Sequence, residues 1–422
     1  MTRTGSGQVR SRRVFYIPGY DPIHPRRYRE LYRKEGAEQA RISGYSIDLT
    51  AKKSGDGPYG WHVAGHMEAA EVTADVDVLV WSDIVRDSMS TSIPATYLQL
   101  IRTAWTYIGS GTLRRLTRLR KGPVIAALYP VGMLILQPVL AFAAAYALAL
   151  AGAYLARTLV GNLATPPIAD LAGTGVGVVL AMVVFVAIMR WFKRRDGRFF
   201  AYYLMHDYAY SARYNGANPP ELEQRMGEFG DLIATALTQG FDEVLVVGHS
   251  SGVHLGVSIL ADLIRAGKVP EGGPALGFLS LGQVVPMVSF LPGADRLRGD
   301  LRYLSTRDEL AWIDVSAPGD GCAFALCDPV AVSGVAPTGK KWPLVFSAAF
   351  TQTLTPARWA ELRWKFFRLH FQYLCAFDNP GTYDYFRITA GPKTLRARYA
   401  NQPPSAKRID FAVSKYTSVT LP

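Results

Sequence analysis

Residues Gly248-His249-Ser250-Ser251-Gly252 form a G-x-S-x-G pentapeptide. A serine hydroxyl becomes a useful nucleophile when it is exposed, when a base can take its proton, and when donors face the oxyanion it generates. A sharp turn from strand into helix meets the first need. It projects Ser250 at the head of the helix, strains its φ/ψ, and leaves room only for glycine on either side. The backbone N–H of Ser251 points to the same place and is the first candidate oxyanion donor. The base must come from seven histidines. His249 sits inside the turn, with the wrong geometry to reach its neighbour's oxygen, and His254 packs on the following helix. His24, His62, His66 and His206 precede the serine, whereas His370 lies far downstream within Phe367–Tyr373. Carboxylates that could orient an imidazole and stabilise its cation are Asp314, Asp320 and Asp328.

The elements around these groups must position them. Apolar, β-branched runs recur at Val14–Ile17, Tyr45–Leu49, Val76–Trp81, Phe199–Met205, Val244–Val247, Leu276–Leu281 and Trp312–Val315. Helix-like segments lie at Pro25–Gln39, Pro220–Leu237 and Gly252–Ala266. This alternation predicts an α/β fold with a mostly parallel central sheet. Val244–Val247 suits a buried central strand and runs directly into the pentapeptide. Phe199–Tyr203 reads as strand core, followed by Asp207 in a capping role.

The strand–GHSSG–helix unit, Asp320, His370 and the Pro18-Gly19-Tyr20 turn together resemble the α/β-hydrolase family over roughly residues 14–86 and 199–390. The family's order of nucleophile, acid and histidine implies His370 as base and an acid between it and Ser250. Asp320 lies in the loop beyond the Trp312–Val315 strand, where such sheets place functional groups, and is preferred; Asp314, within that strand, is the runner-up. The resemblance also implies a second oxyanion donor from the loop after the first strand, either the Tyr20 or the Gly19 amide. The chemistry implied is acyl transfer through an acyl-enzyme, with no cofactor. The chain departs from the family in two ways. The early loop reads Pro-Gly-Tyr where many lipases have His-Gly, and a long apolar segment interrupts the chain before the nucleophile strand.

That segment explains the charge. The net charge of +12 invites a nucleic-acid reading, but ten of those charges come from two clusters, Arg102–Lys121 and Arg190–Arg198. Between them, residues 123–156 and 171–189 carry no charge. A helix needs about 20 apolar residues to cross a bilayer. The second stretch fits one span. The first is longer and contains Pro130 and Pro138, so it is either one long helix or a span preceded by an interfacial segment. Basic flanks on both sides predict a two-helix hairpin with both ends cytosolic. Gly173 and Gly177 form a GxxxG pair that could seat one helix on the other. Tyr97, Ile101, Ala104, Trp105 and Ile108 recur at helical spacing just before the hairpin, as an interfacial helix or an ordinary amphipathic one.

The predicted organisation is a first hydrolase segment (1–96), a basic amphipathic juxtamembrane segment (97–122), a transmembrane hairpin (123–190) and a second hydrolase segment (191–422). Three cysteines are too few for a disulfide scaffold, and Cys322 and Cys327 lack zinc-site spacing. The polar, basic N-terminus has no apolar run of the kind a signal peptide needs. On a helix, the spacing of His62 and His66 could bind a metal, but there is no H-E-x-x-H and no metal site is expected. No phosphate-binding loop or dinucleotide fingerprint is present, and no nucleic-acid partner is expected. The favoured expectation is an integral protein of the cytoplasmic membrane that cleaves a small-molecule or lipid ester, with the bilayer itself as partner. A thioesterase or acyltransferase on the same residues, or a non-catalytic membrane scaffold, are the competing readings.

Overall fold

The structure, a computed structural model, describes residues 7–419 except 54, 56, 90 and 91. It is α/β and divides into two compact units, residues 1–88, 105–125 and 211–422 in one and 89–104 and 126–210 in the other. In the first unit the strands are β1 (Ser11–Ile17), β2 (Ser46–Ala51), β3 (Gly60–Met67), β4 (Ala70–Val78), β5 (Glu243–His249), β6 (Ala275–Leu281), β7 (Leu310–Ser316) and β8 (Leu344–Ser347). They form one eight-stranded sheet in the order β2-β3-β4-β1-β5-β6-β7-β8. From β4 through β8 every pairing is parallel, while β3 runs against both neighbours. β5 lies at the centre and is buried along its whole length, as a continuous apolar run requires.

The helices, in chain order, are α1 (Arg26–Ser43), α2 (Ser82–Ser88), α3 (Ile93–Gly109), α4 (Thr112–Leu116), α5 (Lys121–Gly161), α6 (Pro166–Arg194), α7 (Asp196–Phe199), α8 (Ala201–Ala212), α9 (Pro220–Ala236) and α10 (Gly252–Arg265). Almost every residue of α10 is buried, because it packs on β5 and β1 on one side and against α9 and the helix Asp295–Leu304 on others.

In the second unit, the first apolar stretch is one helix, α5, running unbroken through Pro130 and Pro138. At 1.5 Å per residue its 41 residues extend about 60 Å, roughly twice a bilayer's hydrocarbon core. α5 and α6 are both long and apolar enough to cross a membrane, and most of their side chains are exposed. Gly173 and Gly177 bring the two helices together: a Cβ on Gly173 would stand 2.9 Å from the Ala153 carbonyl oxygen, and one on Gly177 3.2 Å from that of Ala149. The Arg157–Asp170 ion pair, at 3.3 Å, joins them near their turn.

Two local expectations change. Phe199–Met205 is not a strand. Ala201, Tyr202, Met205, Ala209 and Ala212 are buried at helical spacing along α8, and the Asp196 carboxylate accepts the Tyr202 and Tyr203 N–H groups at 3.0 Å each, capping the start. Aromatic side chains favour strands in general, but here a capping acid and a helical burial pattern decide. His62 and His66 lie on β3, not on a helix. His62 Nδ1 meets Asp75 Oδ1 at 2.6 Å and His66 Nδ1 lies 3.7 Å from Glu71 Oε1, each across the β3–β4 hairpin on its outer face.

Candidate active site

Ser250 stands between β5 and α10 at φ +56°, the left-handed region that a side chain normally avoids. Its N–H donates to the Leu281 carbonyl at 3.0 Å, tying the turn to the end of β6. The flanking glycines are steric necessities. A Cβ on Gly252 would fall 2.2 Å from the Ile17 carbonyl oxygen, and one on Gly248 2.9 Å from that of Gly252. The Pro18-Gly19-Tyr20 turn at the end of β1 crosses the same place: a Cβ on Gly19 would lie 3.0 Å from Ser250 Cβ and 3.5 Å from its Oγ. Three contacts hold this turn. Trp81 Nε1 donates to the Pro18 carbonyl at 3.0 Å, and the buried Tyr20 ring meets Trp81 edge-on while its hydroxyl bonds Ser88 Oγ at 2.6 Å. Among the described residues, the Ser251 and Gly19 N–H groups have no backbone acceptor.

His370 ends the helix Phe366–His370 and is buried, 6% exposed. Its Nδ1 lies 2.7 Å from Asp320 Oδ2. Asp320 is 2% exposed and accepts two further bonds, from the Cys322 N–H at 2.8 Å to Oδ1 and from the Tyr373 hydroxyl at 3.0 Å to Oδ2. Burial alone would raise the Asp320 pKa. The charge and hydrogen bond of His370, with those of Cys322 and Tyr373, outweigh it and hold the carboxyl below its ordinary range. An ionised carboxylate only accepts, so Nδ1 is the nitrogen that donates to it, and in the neutral imidazole Nε2 is the one left with the lone pair. Nε2 is buried and has no hydrogen-bond partner. The residue after Leu281, Gly282, lies beneath the imidazole: a Cβ there would stand 3.1 Å from Cε1 of His370. The carbonyl that anchors Ser250 and the ring of His370 therefore meet at one bend of the chain. No hydrogen bond joins Ser250 to Nε2 in this structure.

Beneath His370 lies a second imidazole. The His249 ring centroid is 4.8 Å from that of His370, its Nε2 donates to the His370 carbonyl at 3.0 Å, and its Nδ1 faces the Tyr16 hydroxyl at 3.3 Å. Burial, and then the charge of His370, push the His249 pKa down to about 3, so this ring is a neutral shelf. Tyr373 completes the support by accepting the Ala317 N–H at 3.0 Å while donating to Asp320.

The other candidate acids are elsewhere occupied. Asp314 sits on β7 opposite Ser280, whose Oγ donates to its Oδ2 at 2.7 Å, and burial pushes its pKa up to about 8. Asp328 caps the short helix Pro329–Val332 and pairs with Lys340 at 2.6 Å. His254, buried on α10, is driven down to about 4 by desolvation. Asp320, Cys322 and His370 also place three metal-capable donor atoms within 4.8 Å of one another. Asp320 Oδ1 accepts one hydrogen bond and Oδ2 two, all at ordinary hydrogen-bond lengths.

Tyr373, Tyr16 and the shelf role of His249 are not apparent from the sequence. Their effects are tertiary, and only the nearness of Tyr373 to His370 offers a hint. Comparison with protein-family models, curated proteins and solved structures finds no significant match to this chain.

Proposed function

We propose that the protein is a membrane-anchored serine hydrolase of α/β-hydrolase type that cleaves an ester, a lipid ester being favoured by the apolar hairpin. Ser250 attacks the carbonyl carbon. His370 Nε2 takes the hydroxyl proton and returns it to the leaving alkoxide, and water then resolves the acyl-enzyme by the same proton route. Asp320 fixes the tautomer and balances the imidazolium. The Ser251 amide, with Gly19 or Tyr20, receives the oxyanion. The observation that carries this reading is the His370 imidazole: one nitrogen is bound to a buried carboxylate and the other is buried without a partner, and the ring lies against the Leu281-Gly282 bend that anchors a serine at φ +56°. The missing Ser250–His370 bond is the one that substrate must complete, since such bonds commonly tighten only with ligand bound. α5 and α6 are read as the two spans, with their basic flanks cytosolic.

A fluorophosphonate probe tests the proposal. The parent protein should label covalently, and Ser250→Ala, with its near-ultraviolet circular dichroism unchanged, should not. Undiminished labelling of that variant would remove Ser250 as the nucleophile.

A further inference from the structure

The loop that follows β7, Ala317-Pro318-Gly319-Asp320-Gly321-Cys322, carries a carboxylate and a thiol two residues apart. The Asp320 N–H donates to the Ala317 carbonyl at 2.9 Å and the Cys322 N–H to Asp320 Oδ1 at 2.8 Å, so the loop folds back on its own carboxylate. His370 reaches the same carboxylate from 50 residues downstream. One donor atom from each of Asp320, Cys322 and His370 then lies within 4.8 Å of the other two. Sequence spacing hides this set, because Cys322 and Cys327 make no zinc pattern and the third donor arrives only through the fold.

The donors are an oxygen, a sulfur and a nitrogen, types that hold zinc at about 2.0–2.3 Å in tetrahedral geometry. Ligands at those lengths stand about 3.3–3.6 Å apart around one ion, so the three need shift by only about 1 Å to share it. A carboxylate and a thiolate together balance a divalent charge. Thiolate favours zinc or cadmium, whereas calcium and magnesium prefer all-oxygen sites of six or more ligands. Cys322 and Gly321 are only partly buried, so this edge of the cluster is reached from solvent. On the imidazole, Nε2 is buried with no hydrogen-bond partner.

We propose that Asp320, Cys322 and His370 form an inhibitory site for zinc, a switch on the serine-hydrolase reaction proposed above, on which the inhibitory role rests. Binding releases the thiol's proton to solvent and leaves a neutral centre of zinc, carboxylate, thiolate and imidazole, with a fourth position for water. A neutral imidazole has one lone pair. Whichever ring nitrogen gives it to zinc, the other carries the proton, and His370 can no longer accept one from Ser250. The ion disables the base and leaves the nucleophile chemically intact.

The test uses the full chain purified in detergent and stripped with chelator. Zinc chloride at saturation should slow fluorophosphonate labelling on the order of 100-fold or more, and chelator should restore it. Magnesium or calcium chloride should have no effect. Cadmium chloride should produce the ultraviolet charge-transfer band of a thiolate–cadmium bond in the parent and in Ser250→Ala. Cys322→Ser should lose that band and weaken zinc inhibition on the order of 100-fold, each rate being compared with the same variant's own rate without metal. Cys375→Ala, which removes a thiol outside the cluster, should keep both. A band that survives Cys322→Ser, zinc inhibition unchanged in that variant, or labelling unaffected or accelerated by zinc would each overturn the proposal. The band also separates the two readings. A Cys322-dependent band in a chain that never labels would refute the hydrolase and uphold the metal site, whereas labelling at Ser250 without the band would refute the site alone.

Discussion

Replacing Asp314 with asparagine should stabilise the protein progressively as pH rises, while replacing Asp320 in the same way should disable it. The two carboxyls are six residues apart and both buried, yet burial raises the pKa of Asp314 while His370, Cys322 and Tyr373 lower that of Asp320. Burial raises Asp314 from an ordinary value of 3.8 to about 8. In the unfolded chain it loses its proton near pH 4, and in the folded chain it keeps it to about pH 8. Between those values the folded state binds one more proton than the unfolded state, so stability is complete below pH 4 and falls by about 1.4 kcal/mol per pH unit until about pH 8. The full interval amounts to about 6 kcal/mol, comparable with the whole stability of an ordinary domain. Asparagine reproduces the shape of the neutral acid, can still accept from Ser280 Oγ, and has no proton to lose. Equilibrium denaturation in mild detergent at pH 5, 6, 7 and 8 should therefore show the variant's advantage over the parent growing by about 1.4 kcal/mol per unit and levelling off near pH 8. Fluorophosphonate labelling of Asp314→Asn should match the parent, whereas Asp320→Asn should label on the order of 10⁴-fold more slowly because the tautomer of His370 is no longer imposed. A stability difference independent of pH would refute the neutral state of Asp314. Loss of labelling in Asp314→Asn, with Asp320→Asn unaffected, would reverse the assignment of the acid.

Two further outcomes follow from the support beneath the imidazole. Tyr373→Phe removes a donor from Asp320 and strands the buried Ala317 N–H, so it should cost about 1–3 kcal/mol in denaturation and slow labelling, without abolishing it. His249, pushed down to about 3, should show ring proton shifts that stay flat from pH 5 to pH 8 in a nuclear magnetic resonance titration; a midpoint inside that window would contradict its role as a neutral shelf.

What could be read in advance divides along physical lines. β5, the Ser250 turn and α10 are local: four apolar residues, two sterically obligatory glycines and a buried helix follow one another in the chain. β3 is hidden because its alternation is diluted by Gly60, His62, Gly65 and His66, and because Glu68 and Ala69 make its turn at positive φ without the glycine or asparagine that usually marks one. β8 is hidden by its length of four residues. The pairing of Asp320 with His370 depends on the fold bringing together residues 50 apart, and Tyr373 enters only through bonds to both Asp320 and Ala317.

β1 is hydrogen-bonded on one side to β4, which precedes α5 and α6, and on the other to β5, which follows them. The ladder between β1 and β5 runs from Arg12↔Glu243 to Ile17↔Gly248, immediately before Ser250. A single crossing of a bilayer would put those two strands on opposite sides of it, and the sheet and the serine turn could not form. If α5 crosses a membrane, α6 must therefore cross back. The Ala149/Ala153 and Gly173/Gly177 contact then does more than pack two helices, because close pairing of the hairpin is what returns the chain to the compartment in which β1 waits for β5.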